Sequence, residues 1–412
     1  MFRKFIGEKY FCGLDIGTHT IKAALIEPRE NRQIELRGVY EFDTEGFQEG
    51  AVTNLGDLSG AIGEVLSGLS KNTGVRIRTL HLGLNGDVIR EARSSAVIPL
   101  LDRGSKVISR RDVARLQQQA RFLGVKLDEV ILHDFPQVYT VDDINQTLNP
   151  LGLYGRKLEV ETIVVAARSA MVRNLSKAVN QAGVDIENLF FTTYAATKTV
   201  LDDFQRKQGC AVVDIGSSRT DIVVFKGGQL RFLDSLPVGG HDITRAIADR
   251  LKITEDLAED MKKSYAVVDH GSSEKNEEIL IKRDDGYMPV QKKVLSDAIE
   301  PIVSDLVNMI RTSLERSRFA DELTAGMVMT GGGALLAGMG ERFELNMGMN
   351  VQIAKIRFSS RRMHNAAKFL SAVGLAHAGF DKNFGLFLKR NQHSQSLKGA
   401  WNRVKELYEE YF

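Results

Sequence analysis

Several ingredients are scarce in this chain of 412 residues, and each scarcity excludes something. It has only two cysteines, Cys12 and Cys210, each just before a glycine-rich turn on an apolar stretch. They read as buried thiols of a reducing cytoplasm, not as a disulfide framework. No apolar run approaches the ~20 residues that a membrane-spanning helix needs, so any membrane contact is expected to be peripheral. The start, Met1-Phe-Arg-Lys-Phe-Ile-Gly, is basic and partly apolar but too short for a secretory signal. Charge of one sign is not in excess: 55 basic against 53 acidic residues leave a formal +2. That balance excludes a bulk nucleic-acid binder, which needs a basic surplus to neutralise phosphates. Neither a Walker loop nor a Gly-x-Gly-x-x-Gly fingerprint after a strand occurs.

What is present is ordinary in bulk, with 43% hydrophobic and 26% charged residues. The length exceeds one compact core and fits two or more domains. An internal repeat organises them. Phe11-Cys-Gly-Leu-Asp-Ile-Gly-Thr-His-Thr-Ile-Lys and Cys210-Ala-Val-Val-Asp-Ile-Gly-Ser-Ser-Arg-Thr-Asp both read as apolar strand, polar turn, strand. The copies are too far apart for a solenoid, whose period is ~20–50 residues. They suggest two similar halves that face each other.

Between them, residues 84–166 read as a small α+β module inserted in the first half. Its helix over Ser109–Phe122 is expected to start at Ser109 as N-cap. Ser169–Ala182 and Thr192–Gln205 read as helices that return the chain to the hinge. In the second half, Asp242–Leu251 and Thr254–Tyr265 read as helices, 269–293 as an exposed hairpin or loop, and Ser296–Arg318 as a long amphipathic helix. Met327-Val-Met-Thr-Gly-Gly-Gly-Ala-Leu-Leu reads as strand, triple glycine, then helix.

A phosphate needs backbone N–H donors at close range, and glycine permits that approach while hydroxyls add donors. Asp15-Ile-Gly-Thr-His-Thr supplies Gly17, Thr18, His19 and Thr20, with Lys22 close by. Asp214-Ile-Gly-Ser-Ser-Arg-Thr supplies Gly216, Ser217, Ser218 and Thr220. Asp15 and Asp214 end their strands, where a carboxylate can hold Mg²⁺ through water, since Mg²⁺ keeps several of its waters. One Asp-x-Gly turn alone suits an ordinary hairpin equally well. Two copies, followed by Gly331-Gly-Gly-Ala334 where a flat base can lie against bare backbone near a helix N-terminus, favour a nucleotide.

These three elements in this order resemble the phosphate-1, phosphate-2 and adenosine motifs of the actin-like ATPase superfamily. The resemblance implies an α/β fold of two RNase-H-like halves around an ATP cleft, with Gly240 of Val238-Gly-Gly-His near the nucleotide. Ala258-Glu-Asp-Met-Lys resembles the adenosine-contacting Ala-Glu-x-x-Lys segment, pointing to Glu259 and Lys262; a solvated helix face is the plainer alternative. Fold alone does not give function. The inserted module, His133-Asp-Phe-Pro-Gln-Val-Tyr, Asn149-Pro-Leu-Gly-Leu-Tyr-Gly, the segments around Thr330 and Ser371, and the amphipathic end together resemble the FtsA family over nearly the whole chain. Departures are Ala266 and Val267 where such chains carry a glycine, and the unusual Ser359-Ser-Arg-Arg-Met-His.

The resemblance implies this division: 1–83 with 167–205 as the first half, 84–166 as an inserted SHS2-type domain, 206–250 with 325–380 as the second half, and 251–324 as its outer subdomain. A linker over 381–399 and a helix over 400–412 follow. On a helical wheel Trp401, Val404, Leu407, Tyr408, Tyr411 and Phe412 share one arc, which suits an in-plane anchor at an anionic membrane surface. Its polar face sets Arg403 and Lys405 against three glutamates, so Lys389, Arg390 and Lys398 are expected to add attraction.

The implied role is an ATP-binding protein that polymerises on the cytoplasmic face of the inner membrane at the septum. There it tethers the C-terminal peptide of the tubulin-like FtsZ, with Lys292 and Lys293 as candidate contacts, and recruits late division membrane proteins. The crossing Thr192-Thr-Tyr-Ala-Ala-Thr-Lys lacks an acid or amide at Tyr194, Ala195 and Ala196, so slow or negligible hydrolysis is expected, with Asp214 the candidate to orient water. Two alternatives are a type IV pilus assembly scaffold that binds a membrane partner's peptide, and a small-molecule kinase of the same superfamily.

Overall fold

The computed structural model describes residues 10–29, 34–48, 50–86, 88–100, 106–268, 278–283, 286–356 and 366–382. The apolar run Phe11–Ile16 forms β1 and folds back as β2 (Thr20–Pro28) and β3 (Ile34–Asp43), an antiparallel meander. Helix α1 (Leu55–Thr73) starts at Asn54, whose side chain accepts from the amides of Gly56 and Asp57. It lays Leu58, Ile62, Val65 and Leu69 onto the sheet. Strand β4 (Thr79–Leu84) then pairs parallel to β1.

The chain next leaves this layer through the long strand β5 (Ile89–Pro99). Helix α2 (Arg110–Leu123) starts at Ser109, the N-cap that the sequence predicts, which forms a capping box with Asp112, and it buries Leu116 and Ala120 against Ile98 and Val160. Strands β6 (Glu129–Val141) and β7 (Lys157–Arg168), with a short edge strand over Asn145–Thr147 beside β6, complete a four-stranded sheet in which β7 lies between β5 and β6. Strand β7 runs straight into α3 (Ser169–Gln181), and β8 (Asp185–Phe191) rejoins the first sheet beside β4.

Helix α4 (Thr192–Val200) carries the chain across to the second half. The sequence predicts one helix over Thr192–Gln205; instead Leu201 is extended, and Asp202 with Gln205 forms a capping box that starts a separate α5 (Asp203–Gln208). Strands β9 (Cys210–Ile215), β10 (Thr220–Lys226) and β11 (Gln229–Leu236) repeat the meander. Helices α6 (Gly240–Leu251) and α7 (Glu255–Tyr265, with Thr254 as N-cap) follow. The described part of 269–293 is a hairpin, β12 (Glu278–Arg283) with β13 (Gly286–Gln291). The long helix α8 (Lys292–Ser317) starts before the predicted Ser296, in a place where Gln291 makes no side-chain cap to mark it. Strand β14 (Met327–Thr330), α9 (Met339–Met347) and β15 (Val351–Ile353) close the half.

The two five-stranded sheets have one design. The first runs β3-β2-β1-β4-β8 and the second β11-β10-β9-β14-β15, with the last three strands of each parallel. A helical stretch over 370–382 crosses the first sheet and meets α4. A Cβ on Gly13 would lie 2.1 Å from the Ala372 carbonyl, and one on Gly374 would lie 2.5 Å from the Ala196 Cα. Only glycine allows backbones to pass so closely, so these two positions set how the halves join.

Candidate functional site

The site is built from the two meander turns. In the first, Ile16 pairs with Ile21 and Asp15 with Lys22; in the second, Ile215 pairs with Thr220 and Asp214 with Asp221. Both turns are therefore true hairpins, and they point at each other: the Thr18 and Ser218 hydroxyls lie 3.0 Å apart. The Gly17 amide closes its own turn on the Thr20 carbonyl at 3.2 Å, and the Gly216 amide closes on that of Arg219 at 2.8 Å. The amides of Gly17 and Gly216 are thus engaged within their own turns. Among the described residues the amides of Thr18, His19, Ser217 and Ser218 have no backbone acceptor, so they are the turn donors left over. Thr220 is committed too, since its hydroxyl donates to the Val238 carbonyl at 2.8 Å. Two further bonds brace the first turn: Thr44 Oγ1 donates to the Gly17 carbonyl at 2.7 Å and Asn85 Nδ2 to that of Ile16 at 3.1 Å.

Beneath the turns sit the carboxylates. Burial pushes the Asp15 pKa up, and Lys22 partly offsets this. Its Oδ1 is buried with no hydrogen-bond partner among the described residues. Asp214 is pushed up to about 7, by burial first and then by the charges of Asp221 and Asp15. Ser371 Oγ, on the 370–382 helix, donates to Asp214 at 3.5 Å. Desolvated carboxylates crowded together with an orphaned oxygen call for a cation or its water. Among the described residues no cluster of three acidic, His or Cys side chains could hold a metal by itself. Mg²⁺ carrying its own waters and phosphate oxygens fits this donor set, because two carboxylates are enough for it.

Asp221 lies in this site and was not singled out by the sequence reading. It is buried, accepts from Ser235 Oγ at 2.5 Å, and accepts from Thr193 Oγ1 of α4 at 3.3 Å. Burial raises its pKa, opposed by the Ser235 hydroxyl, Arg219, Thr193 and the Gly86 amide. Thr193 and Gly86 belong to the first-half side of the cleft, so one carboxylate links β10 to both. The signal was present: Asp221 stands seven positions after Asp214, as Lys22 stands seven after Asp15.

The third glycine element flanks the turns. Gly331 has φ +87°, and a Cβ there would lie 2.3 Å from the Ile215 carbonyl and 2.4 Å from an Asp214 carboxylate oxygen. Gly333 presses on Ile215, whereas Gly332 faces open space and Ala334 is buried. The predicted helix does not follow: the chain makes a 3-10 turn over Gly333–Leu335, and α9 starts only at Met339. No α-helix N-terminus therefore lies at the triple glycine. The α6 start does approach the second turn, for the Gly240 amide donates to the Gly216 carbonyl and the His241 amide to that of Ser217, both at 2.8 Å. Glu259 and Lys262 are not a solvated face. Lys262 Nζ lies 2.6 Å from Glu259, 2.7 Å from the Thr244 hydroxyl and 2.9 Å from the Gly240 carbonyl. Burial opposes ionisation of Glu259, but bonds from Lys262 and Thr244 outweigh it and hold its pKa at about 2.

Other predicted residues lie apart. Lys292 and Lys293 occupy the first turn of α8, beyond the hairpin in which they were expected. The anchor residues Trp401, Val404, Leu407, Tyr408, Tyr411 and Phe412 lie outside the described residues, as do the linker beyond 382 and Ser359-Ser-Arg-Arg-Met-His. Among the described residues no helix is long and apolar enough to cross a membrane. The inserted module is clasped to the second half. Gln137 Nε2 donates to the Leu230 carbonyl at 2.9 Å, and Arg231 returns bonds to the Gln137 carbonyl and Oε1 at 3.0 and 3.2 Å.

Comparison with known proteins follows the same division. The family described as "Cell division protein FtsA" matches residues 211–374, and "SHS2 domain inserted in FTSA" matches 86–166. Curated cell-division proteins FtsA are similar over almost the full length. That of Pseudomonas aeruginosa is 27% identical, covering 91% of this chain and 90% of its own. That of Borreliella burgdorferi is 26% identical over 95% and 94%, and that of Escherichia coli strain K12 is 25% identical over 97% of each. Among solved structures, a PilM–PilN type IV pilus biogenesis complex matches with TM-score 0.64 and 20% identity, over 90% of this chain and 98% of that one. MreB5 of Spiroplasma citri bound to ADP matches with TM-score 0.55 and 12% identity, over 92% and 98%. These likenesses assign the fold as that of the actin-like ATPases, two halves about a cleft with an inserted SHS2 domain.

Proposed function

The chain belongs to the FtsA family of cell-division proteins, and from this premise we propose that it binds ATP with Mg²⁺ between the two turns and tethers FtsZ filaments to the cytoplasmic membrane at the septum. The observation that carries the nucleotide part is the meeting of Thr18 and Ser218 across the halves, above Asp15 and Asp214. Bound Mg²⁺ would neutralise phosphate charge. Asp15 and Asp214 would hold its waters, the amides of Thr18, His19, Ser217 and Ser218 would grip phosphate oxygens, and Lys22 would add a positive charge. Gly331, Gly332 and Gly333 would receive the adenosine, with Glu259, Lys262, Gly240 and Ala334 behind it. MreB5, a structural neighbour in ADP-bound form, supports a nucleotide in this fold.

Hydrolysis is slow in this reading. Asp214 is the group that would orient water, and the crossing α4 presents Tyr194, Ala195 and Ala196, none of which can take a proton from water at neutral pH. The tail helix Trp401–Phe412 would anchor the chain, and a filament of many copies would multiply its weak hold through effective concentration. FtsZ's C-terminal peptide would dock on the 250–325 region near Lys292 and Lys293, and late division membrane proteins on the inserted domain.

The test is co-sedimentation with anionic vesicles and ATP, comparing the full chain with one ending at Lys398. Pelleting of the full chain alone, with FtsZ following it, is the expected result. If both forms stay in the supernatant, the tail is no anchor. The pilus-type scaffold would then be the better reading, a rival kept in view by the 0.64 TM-score of the PilM–PilN match.

A further inference from the structure

Helix α2 of the inserted module turns a face to solvent that the cleft does not use. Arg111, Arg115, Gln118 and Phe122 share one stripe of the helix, opposite the buried Leu116 and Ala120. At its end Phe122 and Leu123 are 65% and 64% exposed, and Leu127, in the turn before β6, is fully exposed. Single exposed apolar residues are ordinary, but three large ones so close together mark a contact surface. The turn is held from behind, since Arg90 donates to the Gly124 carbonyl at 3.0 Å and the Ser169 amide to the Asp128 carbonyl at 2.8 Å. The charge around it is basic. Asp112 is buried and bonded by Ser109 and Lys106, Glu129 is paired with Arg90 at 2.5 Å, and Asp134 with Arg121 at 3.3 Å. That leaves Asp128 as the exposed acid against exposed Arg110, Arg111, Arg115 and Lys126. Lys382 lines a groove together with Val130 and Ile131, which follow Leu127 closely in the chain. The segment that leads to the tail therefore leaves the body beside this turn.

We propose that the outward face of α2 is a second contact with an anionic bilayer: Phe122, Leu123 and Leu127 enter the headgroup layer, while Arg111, Arg115 and Lys126 meet lipid phosphates. The inference rests on the membrane-tether reading above and deepens it. A basic face that ends in large apolar side chains has the make-up of a helix lying in a membrane interface. A fully exposed turn residue such as Leu127 protrudes, which suits entry into a soft headgroup layer. The tail is poor in this attraction, for its polar face sets Arg403 and Lys405 against three glutamates. One short amphipathic contact binds weakly, and a second on the same chain strengthens it through effective concentration.

The test gives the full chain two separate reporters. Trp401, the one tryptophan, reports the tail, and a polarity-sensitive dye on Leu127→Cys reports the α2 turn. Cys12 and Cys210 are buried, their thiols pushed up to about 12 by burial, and stay unlabelled. With vesicles of phosphatidylglycerol and phosphatidylcholine the dye at Leu127→Cys should shift to the blue. The same dye on Lys207→Cys, exposed on the second half, should not. Arg111→Gln combined with Arg115→Gln should weaken vesicle binding about tenfold at low salt, the effect of two charges near an anionic surface. If Trp401 shifts while the dye at Leu127→Cys stays silent, or shifts no more than at Lys207→Cys, the proposal is overturned and the tail anchor stands. A shift at Leu127→Cys without one at Trp401 supports the proposal and removes the tail anchor, and silence at both overturns both. A dye shift that needs no vesicles and grows with chain concentration would assign the face to a second copy and overturn the proposal, as would unchanged vesicle affinity in the double arginine variant.

Discussion

Lys22 and Asp221 hold the same register position in the two turn hairpins, each directly across from its own half's aspartate. The first half thus pairs an acid with a base, and the second pairs two acids. The charge of the cleft is set by this asymmetry as much as by the turns. Lys22→Gln should weaken ATP binding about tenfold or more, the usual size of losing one charge-assisted contact, and Lys22→Glu should weaken it further. Fluorescent-nucleotide titration at fixed Mg²⁺ checks this. Equal affinity in all three forms would remove Lys22 from the phosphate site.

Gln137 is the middle of the clasp between the inserted module and the second half. Gln137→Ala leaves the Leu230 carbonyl short of its side-chain donor and removes one acceptor from Arg231. The expected cost is about 1–3 kcal/mol in urea unfolding, with faster amide exchange in β6 and β11. A change confined to the inserted module, with β11 unaffected, would show that the clasp does not couple the two.

Two histidines, His81 buried and His133 half-buried, make the chain acid-sensitive. Burial drives the His133 pKa down to about 3, helped by Lys382 and Lys198, and its Nε2 must stay unprotonated to accept from the Phe191 amide at 3.0 Å. Burial also lowers His81, to about 4, against the attraction of Glu187. Between the ordinary value near 6.5 and these depressed values, the unfolded chain binds protons that the folded chain does not. Stability is therefore full above about pH 6.5 and falls as pH drops toward 4, by at most about 1.4 kcal/mol per pH unit per histidine. His133→Gln keeps a possible acceptor for Phe191 and should flatten this slope. Thermal unfolding at pH 7.5 and 5.0 measures it, and an unchanged pH dependence would count against His133.

Gly374→Ala places a methyl group against the Ala196 Cα, where backbone cannot yield cheaply. It should lower the unfolding free energy by about 1–3 kcal/mol and weaken nucleotide binding together with it, since the 370–382 helix also presents Ser371 to Asp214. Gly348→Ala, at a left-handed helix end with nothing within 4 Å, is the comparison: strained locally but remote from the cleft.

Much of this was readable in the sequence, for identifiable reasons. The paired Asp-x-Gly turns were legible because strand, turn and strand are each written in neighbouring residues. The α2 start was legible because Ser109 caps its own helix. What escaped depends on groups distant in sequence. Asp221 gained its meaning from Thr193 and Ser235, which the fold alone brings to it. The α4 break was hidden because Leu201 fits a helical pattern, while the Asp202–Gln205 box that overrides it resembles continuing helix. The α8 start went unseen for the opposite reason, as no capping side chain announces it. For Glu259 and Lys262 a solvated helix face stayed open as the alternative, because helical spacing cannot show that Thr244 and the Gly240 carbonyl complete their pairing.

The inserted module has no slack connection to the body. Its two attachments are β5 and β7, bonded side by side in unbroken antiparallel register from Ile89 opposite Ala167 to Pro99 opposite Lys157. The base of this ribbon is sunk in the first half's core, where Val88, Ala167 and Val172 are buried. A pull on the module along the ribbon would be shared by the two strands, which the rungs keep side by side over their whole length. In the role proposed above, with a membrane at one end and a filament at another, the chain would be a tensioned part. This ribbon gives the module the mechanics of a beam, so that a tug or twist at its tip would arrive at the hinge as rotation and would not be lost in a flexing joint.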